Sequence, residues 1–384
     1  MALTRTQMFD CRKKVMKNRI FSGLQLSVRS KILWLVLLST VLIFGSLDQA
    51  TAQQRVLVSA SKPDRVLVYE LDSDTGLLAL KNEVATSNAP GSFCFNEDGN
   101  RIYVSLKNPG SIAAYEFGQD SELTLIGEVD TGAYAGYVRA HKTGKFLFGS
   151  YYAAGQVTVH RILDGGGLSV DPIQKIKTDD NAHAVVSDPS GDFLFVPHTR
   201  PNKVFQFRID SSNGELVAND PPYLIRNVNT GPRHLWFHPH LKVAYGSDEQ
   251  GGSISTYAMS SEKGTLTHID SLSSLPNGFS GSNSTSDIEV HSSGKFVYIA
   301  NRGHNSIAAF AIDEADGSLS FVEHAAVDPV PRSFNITPKG DFLIAAGQQT
   351  NSLKVFRINE SGGLSHTQTI SIEGDPWWIV CQPR

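Results

Sequence analysis

Apolar and β-branched residues recur along most of this chain in short runs that are bounded by turn residues. Between positions 296 and 336, four such runs follow one another, at 296–300, 306–312, 318–322 and 333–336. Runs of about four to eight β-forming residues between turn residues are typical of strands. The pattern therefore predicts an all-β protein built from units of four strands.

This unit recurs seven times. Each repeat has a charged residue at the start of an apolar strand, and these residues are Arg55, Arg101, Lys145, Asp192, Lys242, Lys295 and Asp341. They lie 46, 44, 47, 50, 53 and 46 residues apart. Repeats of this length, each with four short strands, are typical of the blades of a β-propeller rather than of a sandwich or a helical solenoid.

Turn glycines and the chain ends fit the same architecture. The hairpin between the second and third strands of a unit carries a Gly just before a Leu, which indicates a tight turn that needs positive φ. These glycines are Gly76, Gly166, Gly214, Gly264, Gly317 and Gly363. The strand near Val56 begins in the middle of a unit, whereas the strand at 377–381 has no partners after it. We therefore expect a seven-bladed β-propeller whose ring is closed by the C-terminal strand joining the N-terminal blade.

The first 52 residues follow a different pattern. A basic stretch that includes Arg12 and Lys31 precedes an uncharged apolar run at 32–47 and the triplet Ala50-Thr51-Ala52. This is the order of a secretory signal peptide, and the run is shorter than the roughly 20 residues that span a bilayer. We expect residues 1–52 to be a signal peptide cleaved after Ala52, without stable membrane insertion, and residues 53–384 to be the propeller domain. Two alternatives stay open: an uncleaved anchor, and Met16 as the true start.

The charge balance argues against one class of partner, and the cysteine spacing argues against a metal site. The chain has 34 Lys and Arg against 38 Asp and Glu, and residues 1–52 contain 8 of the former and 2 of the latter. The remaining 26 basic and 36 acidic residues give a formal charge of −10, which argues against a nucleic-acid partner. Cys94 and Cys381 have no metal-binding spacing, so we expect buried thiols, with a disulfide as the alternative. We expect an exported monomer, periplasmic or extracellular.

Strand direction alternates within a blade, so the loop entering the innermost strand and the loop leaving the second strand meet at one face near the axis. Aligning the repeats gives two columns of residues at that face. The first column is Gly91, Gly136, His183, Arg233, Ser286, Arg332 and Trp377. The second column is Lys62, Asn108, Tyr152, Thr199, Glu249, Arg302 and Gln348. His238 and His291 lie near the other end of the innermost strands, and we expect them to be hydrogen-bonded turn residues.

Like charges converging on one axis are unfavourable, so the columns favour a ligand or catalytic site over a solvated rim. Guanidiniums can clamp a carboxylate, a phosphate or a developing oxyanion. His183 and Glu249 can exchange a proton near neutral pH. This is sufficient for ester chemistry without a metal or another cofactor. No strained G-x-S-x-G turn is present, which disfavours a serine acyl-enzyme.

Several motifs resemble the propeller-type 6-phosphogluconolactonases and the related carboxymuconate cyclases over residues 55–384. They include Asn181-Ala-His183, Gly231-Pro-Arg233-His-Leu-Trp-Phe-His-Pro239, Asp248-Glu249, Asn301-Arg302 and Pro331-Arg332-Ser-Phe-Asn335. The resemblance implies a metal-independent lactonase whose catalytic residues are His183, Arg233, Glu249 and Arg302. We add Arg332, Tyr152, Trp377 and Gln348 from the same face as substrate-binding residues.

The expected function is hydrolysis of a sugar lactone or sugar phosphate lactone by activated water. The expected partner is therefore a small-molecule lactone. Export is a departure from the family, because 6-phosphogluconolactone is an intermediate of the cytosolic pentose phosphate pathway. The substrate could thus be a different lactone. A lactonising cyclase and a non-catalytic exported propeller that binds a ligand or an envelope partner are the alternatives.

Overall fold

The computed structural model describes residues 54–383, which contain 28 strands in seven four-stranded antiparallel sheets. The expected signal peptide lies outside the described residues. No helix long and apolar enough to cross a bilayer occurs among residues 54–383.

Each sheet is one blade, and its four strands are named below in order from the axis outwards. The innermost strands are β28 (Asp375–Cys381), β4 (Pro90–Phe95), β8 (Tyr137–Ala140), β12 (Val186–Ser187), β16 (Pro232–Phe237), β20 (Ser284–Val290) and β24 (Pro331–Ile336), in blades 1 to 7. The second strands are β1 (Gln54–Ser61), β5 (Arg101–Leu106), β9 (Phe146–Tyr151), β13 (Phe193–His198), β17 (Val243–Asp248), β21 (Phe296–Arg302) and β25 (Phe342–Gly347). All seven starts predicted from the repeat lie within one residue of these bounds.

The outer half of each blade is more exposed. The third strands are β2 (Arg65–Leu71), β6 (Ser111–Phe117), β10 (Gln156–Arg161), β14 (Lys203–Ile209), β18 (Ser253–Ser260), β22 (Ser306–Ile312) and β26 (Ser352–Ile358). The outermost strands are β3 (Leu78–Ala85), β7 (Leu123–Asp130), β11 (Gln174–Lys177), β15 (Leu216–Ile225), β19 (Thr265–Ser273), β23 (Leu319–Ala326) and β27 (Leu364–Ser371).

The predicted ring closure is confirmed. Strand β28 pairs antiparallel with β1, for example at Val58 and Ile379, so the last strand completes the first blade. The hydrophobic core is divided into seven clusters of buried side chains, and each cluster fills the interface between two adjacent blades. The cluster shared by blades 7 and 1 contains residues of β25, β1 and β28. No sheet edge is therefore left open at the junction of the two chain ends.

The predicted hairpin glycines lie between the third and the outermost strands of the blades. They adopt the positive φ that was predicted, with one correction. In the seventh unit the residue at φ 82° is Gly362, not Gly363. Gly264 shows a second reason for glycine, since a Cβ there would lie 1.9 Å from the Phe193 ring of the preceding blade. These turns therefore also set how closely neighbouring blades pack.

The remaining structural predictions concern two histidines and two cysteines. His238 and His291 each bond through Nε2 to a carbonyl oxygen of the next blade, at Gly294 (2.8 Å) and Gly340 (2.9 Å), as expected of hydrogen-bonded turn residues. Cys94 and Cys381 are buried free thiols. They belong to different inter-blade clusters, Cys94 between blades 2 and 3 and Cys381 between blades 7 and 1, so the alternative of a disulfide is not realised.

Candidate active site

Irregular pairing of the innermost strands positions the first column of residues. In five blades the register between the innermost and second strands shifts by one residue, which is a β-bulge. The bulges contain Gly91, Arg233, Ser286, Arg332 and Trp377. A bulge re-aims the side chain of its extra residue. A local break in strand regularity thus positions these residues, and it recurs around the ring.

A cavity of about 360 Å³ lies at this face, and we call it the axial cavity. Predicted site residues that line it are His183, Glu249, Arg332 and Tyr152. Tyr134, which was not predicted, also lines it and fills the space in front of Gly91, where a Cβ would lie 2.2 Å from its hydroxyl oxygen. The bare backbone of Gly91 is therefore what allows Tyr134 to reach the cavity.

Glu249 and Arg302 form an ion pair beside the cavity. Arg302 Nη2 donates to Glu249 Oε1 at 2.8 Å and to the carbonyl oxygen of Thr285 at 2.8 Å. Burial alone would raise the pKa of Glu249, but the guanidiniums of Arg233 and Arg302 outweigh burial and hold this pKa below its usual value. Glu249 is therefore a carboxylate at neutral pH, and it is oriented by Arg302.

Arg233 is a buried cation without a carboxylate partner among residues 54–383. Its side chain is 1% exposed, and its Nη1 lies over the His234 imidazole, 3.1 Å from Nε2 and 3.5 Å from Nδ1. Burial, together with the guanidiniums of Arg302 and Arg332, lowers the pKa of Arg233. Because arginine stays protonated in proteins, the lowered pKa of Arg233 indicates positive charge that nearby anions do not fully compensate. An anion bound in the cavity would offset this positive charge.

His183 lies before the short strand β12, in a loop whose backbone is fixed to blade 4. Its N–H donates to the carbonyl oxygen of Pro197 at 2.9 Å. Burial and then the charge of Arg233 lower the pKa of His183 well below 6.5, so the imidazole is neutral at pH 7. Its Nδ1 has no hydrogen-bond partner within the described part of the chain. Because Nδ1 is also buried, water in the cavity can meet only the other ring nitrogen, Nε2, and a neutral imidazole can accept a proton there.

Two cations lie against the indole ring of Trp377. Arg332 Cζ lies 3.8 Å and Lys107 Nζ lies 3.4 Å from the ring centroid, at cation–π distance. Lys107 was not predicted as a site residue. Burial and then the neighbouring charge of Arg332 lower the pKa of Lys107 to about 8. The rim near Trp377 thus adds positive charge to the site.

Other members of the two columns lie away from the cavity. Lys62 and Asn108 are exposed, and Gln348, which was predicted to bind substrate, is half-buried just after β25 and does not line the axial cavity. Thr199 is buried and lies 3.3 Å, between hydroxyl oxygens, from Tyr152. Of the predicted catalytic and substrate-binding residues, the structure gathers His183, Glu249, Arg233, Arg302 and Arg332 in one region of the ring.

The fold and this region together define a seven-bladed propeller enzyme with a cationic site at one end of the central axis. The family described as Lactonase, 7-bladed beta-propeller matches residues 51–381. The chain therefore belongs to this lactonase family.

Relatives agree with that assignment. The 6-phosphogluconolactonase of Yersinia pestis (strain Pestoides F) is 28% identical over 328 residues, which cover 85% of this chain and 97% of that protein. The periplasmic gluconolactonase of Pseudomonas aeruginosa superposes with a TM-score of 0.80 at 26% identity, over 86% of this chain and 99% of that one. A structure from Bacteroides fragilis, with a TM-score of 0.80 and 23% identity over 88% of this chain and 99% of that one, shares the fold.

Proposed function

We propose that this lactonase-family enzyme hydrolyses a sugar lactone in the axial cavity by general-base attack of water, without using a metal. The observation that carries the proposal is the charge imbalance at the cavity. Arg233, Arg302 and Arg332 outnumber the nearby carboxylates, which are those of Glu249 and Asp287. Positive charge is suited to the oxyanion that forms when a lactone carbonyl is attacked.

The reaction follows from these groups. His183 accepts a proton from water as the water oxygen bonds to the ring carbonyl carbon. The carbonyl oxygen becomes an oxyanion, stabilised by Arg233 and Arg302. When this intermediate collapses, the bond between the carbonyl carbon and the ring oxygen breaks, and the protonated His183 returns the proton to the departing oxygen. The products are a hydroxyl and a carboxylic acid, which releases its proton to solvent.

Glu249, Arg332 and Tyr152 have supporting roles in this proposal. Glu249 is fixed by Arg302, so it orients His183 or accepts a hydrogen bond from a substrate hydroxyl. Arg332, backed by Trp377, anchors an anionic or polar group of the substrate, and Tyr152 closes the cavity beside His183, with 5.6 Å between ring centroids. Gln348 has the weakest case. Like Arg233, Arg302 and Trp377 it does not line the cavity, but Arg302 bonds to the lining residue Glu249 and Trp377 stacks on the lining residue Arg332.

For the cellular location, we propose export with cleavage after Ala52, on the order of charges and apolar residues in 1–52. The likeness to a periplasmic gluconolactonase supports this location. The substrate would then be an unphosphorylated aldonolactone such as gluconolactone. N-terminal sequencing of the protein expressed from the full chain should begin at Gln53; a protein that starts at Met1 or Met16 would contradict export with cleavage.

The activity test uses purified residues 53–384 in a pH-stat, with gluconolactone, 6-phosphogluconolactone and a carboxymuconolactone as substrates. We expect acid release from at least one sugar lactone above the spontaneous rate, and its loss in His183→Ala. If the parent protein is inactive on all three lactones, the proposal fails. If His183→Ala keeps the parent rate, the site lies elsewhere.

A further inference from the structure

A second cavity lies on the axis at the ends of the innermost strands, whereas the axial cavity lies at their beginnings. It has a volume of about 350 Å³, and we call it the distal cavity. Small-molecule sites typically have volumes of about 300–1,000 Å³ and mostly apolar walls. Every blade except blade 4 contributes to the wall, which includes Phe93, Arg139, Trp236, Glu289, Asn335 and Trp378. The distal cavity therefore has the size and the kind of wall that suit a small ligand.

Three aromatic rings in mutual contact lie between the two cavities. Tyr137, Trp378 and His234 come from blades 3, 1 and 5, and their ring centroids are 5.2 to 5.8 Å apart. Tyr137 and Trp378 line the distal cavity, whereas His234 contacts the ring of His183, which lines the axial cavity. No described residue lines both cavities. A ligand in the distal cavity would therefore leave the candidate active site open to substrate.

Glu289 directs one carboxyl oxygen into the distal cavity. The residue is 7% exposed, and its Oε2 accepts hydrogen bonds from the N–H of Ile336 at 2.9 Å and from Asn335 Nδ2 at 3.0 Å. Oε1 has no hydrogen-bond partner within the described part of the chain, and the protein does not cover it completely. Burial raises the pKa of Glu289 well above its usual value, which favours the neutral acid. Because Oε2 already accepts two hydrogen bonds, the proton of this acid belongs on Oε1, from which it can be donated to a ligand.

Arg139 supplies positive charge to the same cavity. It is a half-buried residue of β8 in blade 3, and it forms no hydrogen bond or ion pair with another residue of the range 54–383. Its charge acts on Glu289, but the two side chains do not form an ion pair. A guanidinium presents its donors as a fork that matches the two oxygens of a carboxylate. The donors of Arg139 are therefore available to an anionic ligand.

Two further carboxylates lie in the wall, and neither is placed to bind a ligand inside the cavity. Asp287 Oδ1 lies 2.8 Å from His234 Nδ1, and the two oxygens of Asp287 also accept from backbone N–H groups, at 3.1 and 3.4 Å. The charge of Asp287 also stabilises the buried guanidinium of Arg233. Glu97 is exposed to solvent. The charged and acidic groups that remain for a ligand are therefore hydrogen-bond donors.

We propose that the distal cavity binds a small organic carboxylate, which Arg139 and the carboxylic acid of Glu289 hold by hydrogen bonds. A carboxylate supplies both the acceptor oxygens and the negative charge that these donors lack. The aromatic rings of Phe93, Trp236 and Trp378 cover the body of the ligand. This binding does not depend on the proposed lactone hydrolysis. The sugar acid that such a reaction releases is one source of the ligand, and an aromatic acid is another.

Calorimetric titration of the purified protein tests the class of ligand. Benzoate, benzamide and benzylammonium share a flat body and differ in charge. We expect benzoate to bind with a Kd of about 1 mM or lower, and benzamide to bind at least about 10-fold more weakly, because it lacks the charge-assisted hydrogen bonds. Benzylammonium should not bind. Gluconate is titrated as the sugar acid, and binding of either acid supports the site and shows which body the cavity accepts. If neither acid binds below about 10 mM, or if benzylammonium binds more tightly than benzoate, the proposal is wrong.

Substitutions locate the bound acid. Arg139→Met keeps the aliphatic stem and removes the guanidinium, so the Kd of the acid should rise about 10-fold or more. Lys142→Met is the control, because Lys142 is an exposed cation on the same segment that does not line the distal cavity. It should change this Kd by less than about twofold. An acid that loses affinity in Arg332→Ala but not in Arg139→Met binds in the axial cavity, and this result would overturn the proposal. The comparison of benzoate with benzamide needs no variant, so it stands even if Arg139→Met folds poorly.

Glu289→Gln distinguishes a neutral acid from an ionised one. The amide oxygen of Gln can accept the two N–H groups that Oε2 binds, and its amide nitrogen can donate into the cavity as the acid proton does. We therefore expect the Kd of the bound acid to change by less than about threefold. A loss of affinity above about 10-fold in a variant with the parent's unfolding temperature would contradict the proposed role of Glu289. These titrations need no turnover, so they decide the proposal even if the protein hydrolyses no lactone.

Discussion

Arg302 Nη2 donates a hydrogen bond to Glu249 Oε1 at 2.8 Å, although the two residues belong to different blades. Glu249 follows β17 of blade 5, and Arg302 ends β21 of blade 6. The same guanidinium nitrogen is also bound to the carbonyl oxygen of Thr285. The pair thus joins two blades beside the axial cavity, and it fixes Glu249, the one carboxylate among the described residues that line this cavity.

This relationship gives the first prediction. Glu249→Gln keeps the shape of the side chain and removes its charge, so Arg302 loses the anionic partner that fixes its position beside the cavity. We expect turnover of the preferred lactone to fall by about 100-fold, measured as kcat by pH-stat. Glu83→Gln is the control, since Glu83 pairs with Arg65 at 2.9 Å on an outermost strand. An equal loss in both variants would contradict a special role for Glu249.

The fold was largely predictable from the sequence because each blade repeats the same local signals. Turn glycines such as Gly264 and the apolar second strands define the unit, and the unpartnered strand near Trp378 predicts the closure. The innermost strand of blade 4 is the least regular, with β12 limited to Val186–Ser187. The chain there leaves regular pairing to form the loop that carries His183.

The site was predictable only in part. Repeat alignment selects two residues per repeat, one in each column, and these include His183, Arg233, Glu249 and Arg332. His234 was missed because alternation along a strand directs neighbours to opposite sides, whereas the bulge at Arg233 brings both of these side chains together. Lys107 and Tyr134 were missed because they lie one or two residues from the column positions, and repeat alignment cannot show which loop residues turn inward.

The pH dependence of the reaction follows from His183. The base must be unprotonated, so kcat/KM falls when the pH drops below its pKa. Burial and the charge of Arg233 lower this pKa well below 6.5. We therefore expect kcat/KM to stay constant from pH 7 to about 6 and to decline only at lower pH, measured with an enzyme that stays folded over this range. A midpoint of the acid limb at or above 6.5 would contradict this assignment.

Arg332 should contribute to substrate binding more than to turnover. Its guanidinium stacks on Trp377 and has no carboxylate partner among the described residues. We expect Arg332→Ala to raise KM about 10-fold or more with a smaller change in kcat, because an anchoring contact is made in both ground and transition states. Arg208→Ala is the control. Arg208 also stacks on an aromatic ring, that of Phe193, but at the opposite end of its blade. Its removal should leave KM unchanged.

Closure of the ring should determine the stability of the whole propeller. Strand β28 brings Trp378, Ile379 and Cys381 into the core, and Trp378 Nε1 donates to the carbonyl oxygen of Phe93 in blade 2 at 3.1 Å. Burying one large apolar side chain contributes about 1.5–3 kcal/mol. The loss of β28 would therefore remove an amount comparable to the roughly 5–15 kcal/mol of net stability that is typical of a folded domain.

We accordingly expect deletion of the last ten residues, 375–384, to abolish cooperative unfolding of the protein, measured by circular dichroism during heating. The deletion exposes the edge of β1 and the apolar faces of blades 2 and 7 that β28 covers. Removing only residues 383 and 384 leaves β28 intact and should shift the unfolding midpoint by a few degrees at most. Trp378→Ala should fall between the two, because it creates a cavity that costs about 3–5 kcal/mol while the strand still pairs with β1. A cooperative transition near the parent's midpoint after the ten-residue deletion would show that the other six blades are stable without a closed ring.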